Sequence, residues 1–269
     1  MRRSVGGLLL LVAGVLLAVA TGLLWMDRVA FTPSPDTGST FAIVGDEDIR
    51  LQIANVVSGS DAATMSISPA ALRDRIEGHL QVREMSKEIR GFTADAHARL
   101  IGDTDEPVLI ESAEQVQLVR SERVALQPPI ALPVQRVTSL AVVATATTWI
   151  WMVGAGLGLV ALVLGLLLRP ERGESSFAFA IGCAAIGLSI VTFGYAVPAF
   201  VVPALSGDVW VAAIPRLATY RRATTTIAGV VLVVIGAVAF LATTRARQRR
   251  ARSTPLSVGR FREQQRWSG

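Results

Sequence analysis

Four long stretches of the chain carry almost no polar residues, and they set its organisation. They lie at about residues 5–25, 145–168, 177–205 and 223–241, and none contains Asp, Glu, Lys, Arg or His. An uncharged apolar run of about 20 residues is long enough to cross the hydrocarbon of a bilayer as a helix. The pattern therefore predicts four membrane-spanning helices.

Between the first two stretches, apolar residues recur at three- and four-residue intervals. The repeat runs from Leu72 to Leu100 and predicts one long amphipathic helix, or two abutting ones, that end at Gly102. Ser112 with Gln115 predicts the capping box of a further helix. The predicted fold class is mainly α: a four-helix transmembrane bundle plus a small, mostly helical domain outside the membrane.

These patterns divide the chain into eight segments. They are an anchor at 1–26, an external helical domain at 27–143, a second span at 144–168, a short link at 169–175, a third span at 176–205, an outer loop at 206–222, a fourth span at 223–243 and a basic tail at 244–269. Within the external domain, we expect an extended linker at 28–40 and a short strand at 107–111.

Two details of the later segments depend on residue type. Pro198 and Pro203 remove helical hydrogen bonds and are expected to kink or end the third span near its outer end. In the outer loop, Trp210, Ile214 and Leu217 share one helical face, which is typical of a short helix lying in the membrane interface.

The charges are distributed unevenly and predict an orientation. The tail from Arg245 onward holds eight arginines against one acid, Glu263, whereas residues 27–143 hold 17 acids and 11 bases. Short loops rich in arginine stay on the cytoplasmic side. We therefore expect a multi-pass plasma-membrane protein with both termini in the cytoplasm. Because the basic residues lie in one tail and not on a folded face, nucleic acid is not an expected partner.

The N-terminus allows a second interpretation. Residues 18–20 read Ala-Val-Ala, which is an A-x-A cleavage pattern. The alternative interpretation is therefore that residues 1–20 form a cleaved signal peptide. The apolar run continues unbroken to Trp25, which favours a retained anchor.

Three sets of residues are candidates for contacts with lipid or other helices. Arginines directly after a span bind anionic head groups, tryptophans sit at the membrane boundary, and small residues four apart let helices approach closely. The expected head-group contacts are Arg245, Arg247, Arg249, Arg250 and Arg252. The expected boundary anchors are Trp25, Trp149, Trp151 and Trp210. The expected packing positions are Gly14, Ala18, Gly22, Gly154 and Gly158.

The sequence offers little chemistry. His79 and His97 would lie five turns apart on one continuous helix, too far to share a metal ion, and the acidic clusters at 46–48 and 103–106 match no EF-hand loop. No catalytic motif occurs, so no cofactor, metal site or enzymatic activity is predicted. Spans without ionisable residues weigh against a coupled transporter or an ion channel.

One helix and the strand after it carry a resemblance. The helix reads Phe92, then His97 and Leu100, and Val108 to Glu111 come after it. In this pattern the chain resembles a group of actinobacterial four-pass membrane proteins with a helical extracytoplasmic domain between their first and second spans. The resemblance implies this architecture and a location in the cell envelope. It implies no catalytic residues.

Two functions are compatible with these features. The first is a non-enzymatic interaction or scaffold component of the cell envelope, with a protein partner outside the cell or in the membrane. The alternative is a lipid- or small-molecule-binding accessory of an envelope transport or export system, with a groove between the kinked third span and the external domain.

Overall fold

The computed structural model describes residues 2–32, 36–168 and 172–253, and it describes side chains at 5–32, 36–168 and 176–245. Its α-helices, in chain order, are α1 (Arg2–Met26), α2 (Thr37–Val44), α3 (Glu47–Met65), α4 (Pro69–Leu80), α5 (Met85–Glu88), α6 (Arg90–Ile101), α7 (Ser112–Val119), α8 (Thr138–Leu167), α9 (Arg172–Val191), α10 (Ala213–Tyr220) and α11 (Arg222–Ser253). π-Helices cover Asp27–Phe31 and Thr192–Val201, and short 3₁₀-helices cover Glu122–Val124, Val202–Leu205 and Val209–Ala212. The strands are β1 (Leu109–Ile110) and β2 (Ile130–Ala131).

The predicted fold class is confirmed: the protein is mainly α, with a four-helix transmembrane bundle and a small helical domain. Within the part of the chain that the structure describes, four helical segments are long and apolar enough to cross a membrane, namely Val5–Phe31, Thr138–Leu167, Ser176–Leu205 and Arg222–Arg245. The chain is thus a multi-pass membrane protein. We call the end of the spans that adjoins the helical domain the domain side, and the end that carries Arg245 the tail side.

The first span is longer than its apolar run. The helix does not stop at Met26 but continues as a π-helix through Phe31, so the linker expected at 28–40 is wrong for residues 28–31 and again for 37–40, which are helical. Asp27 is accommodated because its carboxylate accepts a hydrogen bond from the hydroxyl of Thr148 in the second span, at 3.1 Å. The expectation of spans without ionisable residues is corrected at this end.

The four spans pack in a row. The extensive interfaces join α8 to α1, α1 to α9, and α9 to α11. Glycine makes the last interface very close, because a Cβ atom added at Gly187 would lie 2.4 Å from the carbonyl oxygen of Gly229. The two central helices, α1 and α9, each have a neighbour on both sides, whereas α8 and α11 form the edges.

The third span departs from α-helical geometry toward its domain-side end. Pro198 is buried inside the π-helix, and Pro203 lies in the 3₁₀-helix that ends the span. Proline has no N–H to donate and its ring clashes with the preceding turn, so a regular α-helix is disfavoured here. The irregularity that the two prolines predict is therefore present.

The domain is a set of short helices around one core. Gly102 ends α6 with a φ of +82°, where glycine is favoured, and the predicted helix end is confirmed. The long helix expected before it is interrupted twice, giving α4, α5 and α6. The capping box lies one residue earlier than predicted, since Glu111 is the N-cap and its partner is Glu114. Ser112 instead donates to the carbonyl of Gln127.

The short strand expected at 107–111 is present as β1. It pairs antiparallel with β2, with Leu109 opposite Ala131 and Ile110 opposite Ile130. Gln115 supports the pair, because its amide nitrogen donates to the carbonyl oxygens of Ile110 and Pro128 at 3.0 and 2.9 Å. The chain then returns to the membrane as α8.

The core of the domain runs without a break into the ends of the spans. It includes Ile49 and Ile53 of α3, Leu100 of α6, Met26 of α1 and Val202 of the third span. Burial of apolar surface contributes about 25 cal/mol per Å². A shared core therefore fixes the domain on the spans.

The outer helix expected to lie in the membrane interface lies elsewhere, and this expectation is corrected. Trp210, Ile214 and Leu217 do share one face, but all three are at least 96% buried in the core beneath the domain. Two exposed ion pairs tie the same segment to the domain: Arg216 with Asp46 at 3.2 Å and Arg221 with Asp36 at 3.3 Å. Helical periodicity correctly identified the apolar face of this segment, but the face packs against the domain and not against lipid.

Candidate functional site

A large groove lies on the tail side of the spans. Its volume is about 690 Å³, within the range of about 300–1,000 Å³ of ligand pockets. All four spans line it, so the row of helices is concave on this face. The lining residues are Leu10, Gly14 and Leu17 of α1, Leu162 and Leu166 of α8, Ser176, Ala178, Phe179, Gly182, Cys183 and Ile186 of α9, and Ala239, Ala242 and Thr243 of α11. We call it the tail-side groove.

Two glycines form the floor of the tail-side groove. A Cβ atom added at Gly14 would lie 3.7 Å from the Cα atom of Gly182, and one added at Gly182 would lie 4.0 Å from the Cα atom of Gly14. These are ordinary van der Waals distances, so the floor is tightly closed without strain. The walls are aliphatic and aromatic side chains, and the hydroxyl groups of Ser176 and Thr243 lie toward the tail side.

The tail-side groove ends near the arginine-rich part of α11. Arg245 is exposed and follows Thr243 by two residues, about 3 Å along the helix axis. α11 continues to Ser253, so Arg247, Arg249, Arg250 and Arg252 are helical, but their side chains lie outside the described residues. Arg245 therefore adds a positive charge at the tail-side border, where the groove ends.

The expected packing positions all lie between helices. On α1, Gly14 faces Gly182, Ala18 is 2% exposed, and a Cβ atom at Gly22 would lie 2.7 Å from the ring of Phe193. On α8, Gly154 and Gly158 face α1: their Cβ atoms would lie 3.5 Å from Ala20 and 2.9 Å from Leu17. Gly14 and Gly22 of α1 therefore face the third span, whereas Gly154 and Gly158 of α8 face α1.

The four tryptophans expected at the membrane boundary have different environments. Trp149 is 63% exposed on the outer surface of α8, whereas Trp151 is partly buried against the core. Trp25 is half-buried, and its indole nitrogen donates to the hydroxyl of Thr225 at 3.0 Å. Trp210 is 1% exposed, so its expected role as a boundary anchor is corrected. Its large ring belongs to the core of the domain instead.

The two histidines are separate and each bonds to the backbone. The Nε2 atom of His97 lies 2.9 Å from the carbonyl oxygen of Ala30, and Nδ1 of His79 lies 3.0 Å from that of Leu118. Because a carbonyl oxygen can only accept a hydrogen bond, Nε2 of His97 and Nδ1 of His79 are the donors. Burial lowers the pKa of His97, and the hydrogen bond to Ala30 offsets part of this effect.

The two acidic clusters are engaged in capping and ion pairing. Asp46 accepts hydrogen bonds from the backbone at the start of α3 and pairs with Arg216, while Asp105 pairs with Arg136 at 2.8 Å. Among the residues that the structure describes, no group of three or more His, Cys, Asp or Glu side chains is arranged to hold a metal ion.

One acidic residue of the domain is buried deeply. Asp61 of α3 is fully buried, and neither carboxylate oxygen makes a well-formed hydrogen bond within the described part of the chain. Burial raises the pKa of Asp61, and the nearby Ser60 hydroxyl offsets only part of this shift. The sequence pattern gave no sign of this residue, because an acid in an amphipathic helix is ordinarily exposed.

The tail-side groove does not lie between the third span and the domain, where a groove was expected. Pro198 is buried, and Phe193 and Val197 pack against the core. The guanidinium group of Arg222 lies over the ring of Tyr195, 5.4 Å from the ring centroid. The tail-side groove was missed because its walls come from four segments that are distant in sequence. Only the Gly14 stripe indicated that small residues line this region.

Comparison with known proteins gives no further guide to the site. No protein family, no curated protein and no solved structure matches the chain.

Proposed function

We propose that this chain is a lipid-binding membrane protein of the cell envelope, the second of the two functions compatible with its sequence. The observation that carries the proposal is the tail-side groove, which all four spans line with apolar side chains. Such a groove offers an acyl chain a continuous hydrocarbon-like surface.

The chemistry of the groove's end indicates which lipid would bind. Arg245 adds a positive charge at the tail-side border, and Arg247, Arg249, Arg250 and Arg252 continue the charge along α11. Each arginine near a membrane surface contributes about 1 kcal/mol of attraction to anionic lipids. The proposed ligand is therefore an anionic phospholipid whose acyl chain occupies the tail-side groove.

The proposed orientation places this lipid in the inner leaflet. Short segments rich in arginine remain in the cytoplasm, so both termini would be cytoplasmic and the domain extracytoplasmic. The resemblance to actinobacterial four-pass proteins supports the same arrangement. In the envelope, such a protein would be suited to an accessory role in lipid-linked transport or export.

Native mass spectrometry of the purified protein tests the proposal. Gly182→Leu would fill the groove, and the matched control is Gly156→Leu on α8, where an added Cβ atom meets no atom within 4 Å. We expect Gly182→Leu to retain one anionic phospholipid fewer than the wild type and the control. Equal retention in both variants, or no retained lipid in the wild type, would contradict the proposal.

A protein-binding scaffold is a second candidate, supported by a different surface. On the domain, a groove of about 420 Å³ lies between α5 and α7, with Met85 and Val116 in its wall and Glu84, Glu88 and Glu122 around it. These carboxylates favour a partner with a basic segment, although Arg120 also lines the groove. Crosslinking in native membranes followed by mass spectrometry would recover a stoichiometric partner, and Glu84→Gln with Glu88→Gln would reduce its recovery.

A further inference from the structure

A further cavity lies at the opposite, domain-side end of the spans. It has a volume of about 400 Å³ and lies where the first span meets the start of α11. We call it the domain-side arginine pocket, and its principal lining residues are Leu24, Trp25, Arg28, Arg221, Thr224 and Thr225. Nothing in the sequence pattern indicated it, because its two arginines are far apart along the chain.

The walls of this pocket are fixed by direct contacts. The indole nitrogen of Trp25 donates to the hydroxyl of Thr225 at 3.0 Å, which holds α1 and α11 at one level. Gly194 of the third span lets the indole sit close, since a Cβ atom there would lie 2.3 Å from the ring. Tryptophan is typical of the boundary between hydrocarbon and water. The pocket therefore lies at the domain-side border of the membrane.

Two guanidinium groups face this pocket with little compensation. Arg28 is exposed and takes part in no ion pair within the described residues. Arg221 makes a single contact of 3.3 Å with Asp36, and both side chains are about two-fifths exposed. Ion pairs this exposed contribute little free energy. Asp36 is also engaged elsewhere, because its carboxylate accepts hydrogen bonds from the backbone and hydroxyl of Ser39.

Further groups add positive potential around the pocket. Arg222 lies next to Arg221 with its charge over the ring of Tyr195. Arg221 directly precedes α11, and Thr224 and Thr225 lie in its first turn. The N-terminal end of a helix carries a partial positive charge. The acid next to Arg28 in the chain, Asp27, is bonded to Thr148 in the second span.

The geometry points to a binding site for the phosphate group of an anionic phospholipid in the leaflet next to the domain. The planar fork of arginine binds phosphate oxygens in pairs, and Arg28 and Arg221 supply two such forks. Leu24 and Trp25 belong to the first span and provide an apolar wall for an acyl chain below the phosphate. That wall favours a lipid over free phosphate. The site is independent of the tail-side groove.

The test is a titration of the purified protein with phosphatidylglycerol and with phosphatidylcholine, followed by native mass spectrometry. The double variant Arg28→Gln, Arg221→Gln is expected to bind phosphatidylglycerol at least about tenfold more weakly at one site. The matched control is Arg216→Gln, which removes an arginine of α10 that does not line the pocket. We expect unchanged phosphatidylglycerol binding in the control. Repeating the titration with Gly182→Leu present in every variant measures binding to the pocket without binding to the tail-side groove.

A second variant guards against a loss of folding. Thr224→Glu places a carboxylate in the first turn of α11, where it favours the helix but repels a phosphate. We expect the same loss of phosphatidylglycerol binding with no loss of thermal stability. Unchanged binding in Thr224→Glu, equal binding of the two lipids, or complete displacement of the lipid by inorganic phosphate would each overturn the assignment.

Discussion

The imidazole of His97 hydrogen-bonds the carbonyl oxygen of Ala30 at 2.9 Å, joining helix α6 of the domain to the end of the first span. Both residues are almost fully buried. Ala30 lies in the last turn of the π-helix, where the carbonyl groups of a helix lack partners within the helix. His97 thus satisfies a buried acceptor that the end of the span would otherwise leave without one.

Replacing His97 with alanine should destabilise the protein markedly. The change leaves the Ala30 carbonyl buried without a donor, at a cost of about 1–3 kcal/mol, and removes a packed ring. The measurement is thermal unfolding in detergent, followed by tryptophan fluorescence. His79→Ala is the matched control, because His79 makes a similar bond while half-exposed, and water can replace it. Equal losses in the two variants would contradict the role assigned to His97.

Stability should also depend on pH through His97. Burial lowers the pKa of His97 in the folded state below the ordinary value of 6.5, so the unfolded chain binds the proton more readily. Stability from this residue is therefore complete well above pH 6.5 and falls as the pH is lowered through 6.5. Unfolding measurements at a series of pH values from about 8 to about 5, the range in which histidine changes its charge, check this pH dependence. His97→Gln should flatten that slope.

Asp61→Asn should stabilise the protein at neutral pH. Because burial raises the pKa of Asp61, the folded state resists its ionisation, and stability falls as the pH rises from 3.8 through the raised pKa. The neutral amide removes that penalty, and we expect a gain of about 1 kcal/mol at pH 7. Asp74→Asn is the control, since Asp74 is an exposed partner of Arg73. A loss of stability in Asp61→Asn would indicate that the carboxylate has a binding role.

Gly187→Ala should weaken the contact between α9 and α11. Its Cβ atom would lie 2.4 Å from a backbone oxygen of Gly229, a distance that backbone cannot relieve without moving a helix. Overpacking of this kind costs about 1–3 kcal/mol. Gly156→Ala on α8 meets no neighbouring atom and should be close to neutral. Thermal unfolding and protease sensitivity of α11 would report the difference, and similar values for the two variants would argue against the close packing.

Hydropathy and helical periodicity each predict a different part of the fold. Hydropathy located the four spans because length and polarity alone decide whether a helix can cross hydrocarbon. The same signal could not order them, since the order depends on pairs such as Gly187 and Gly229, which only structure brings together. Helical periodicity found the apolar face of Ile214 and Leu217, yet it carries no information about whether lipid or protein covers that face.

The candidate sites were harder to predict than the fold. Arg245 stood out because it belongs to a dense cluster after a span. Arg28 and Arg221 did not, since each is one arginine near a span end and they meet only when α1 and α11 come together. Asp61 was equally hidden, because its burial depends on elements that pack on α3 from elsewhere in the chain.

The packing order of the spans has a consequence for how the chain is assembled during synthesis. The second span to emerge, α8, docks on one side of α1, and the next, α9, docks on the other side. The last, α11, then joins the free side of α9. Each newly inserted helix therefore finds its partner already in the bilayer, and no earlier pair has to separate to admit it. Insertion can proceed from the ribosome in strict sequence order, and α10, completed just before α11, can take its place beneath the domain.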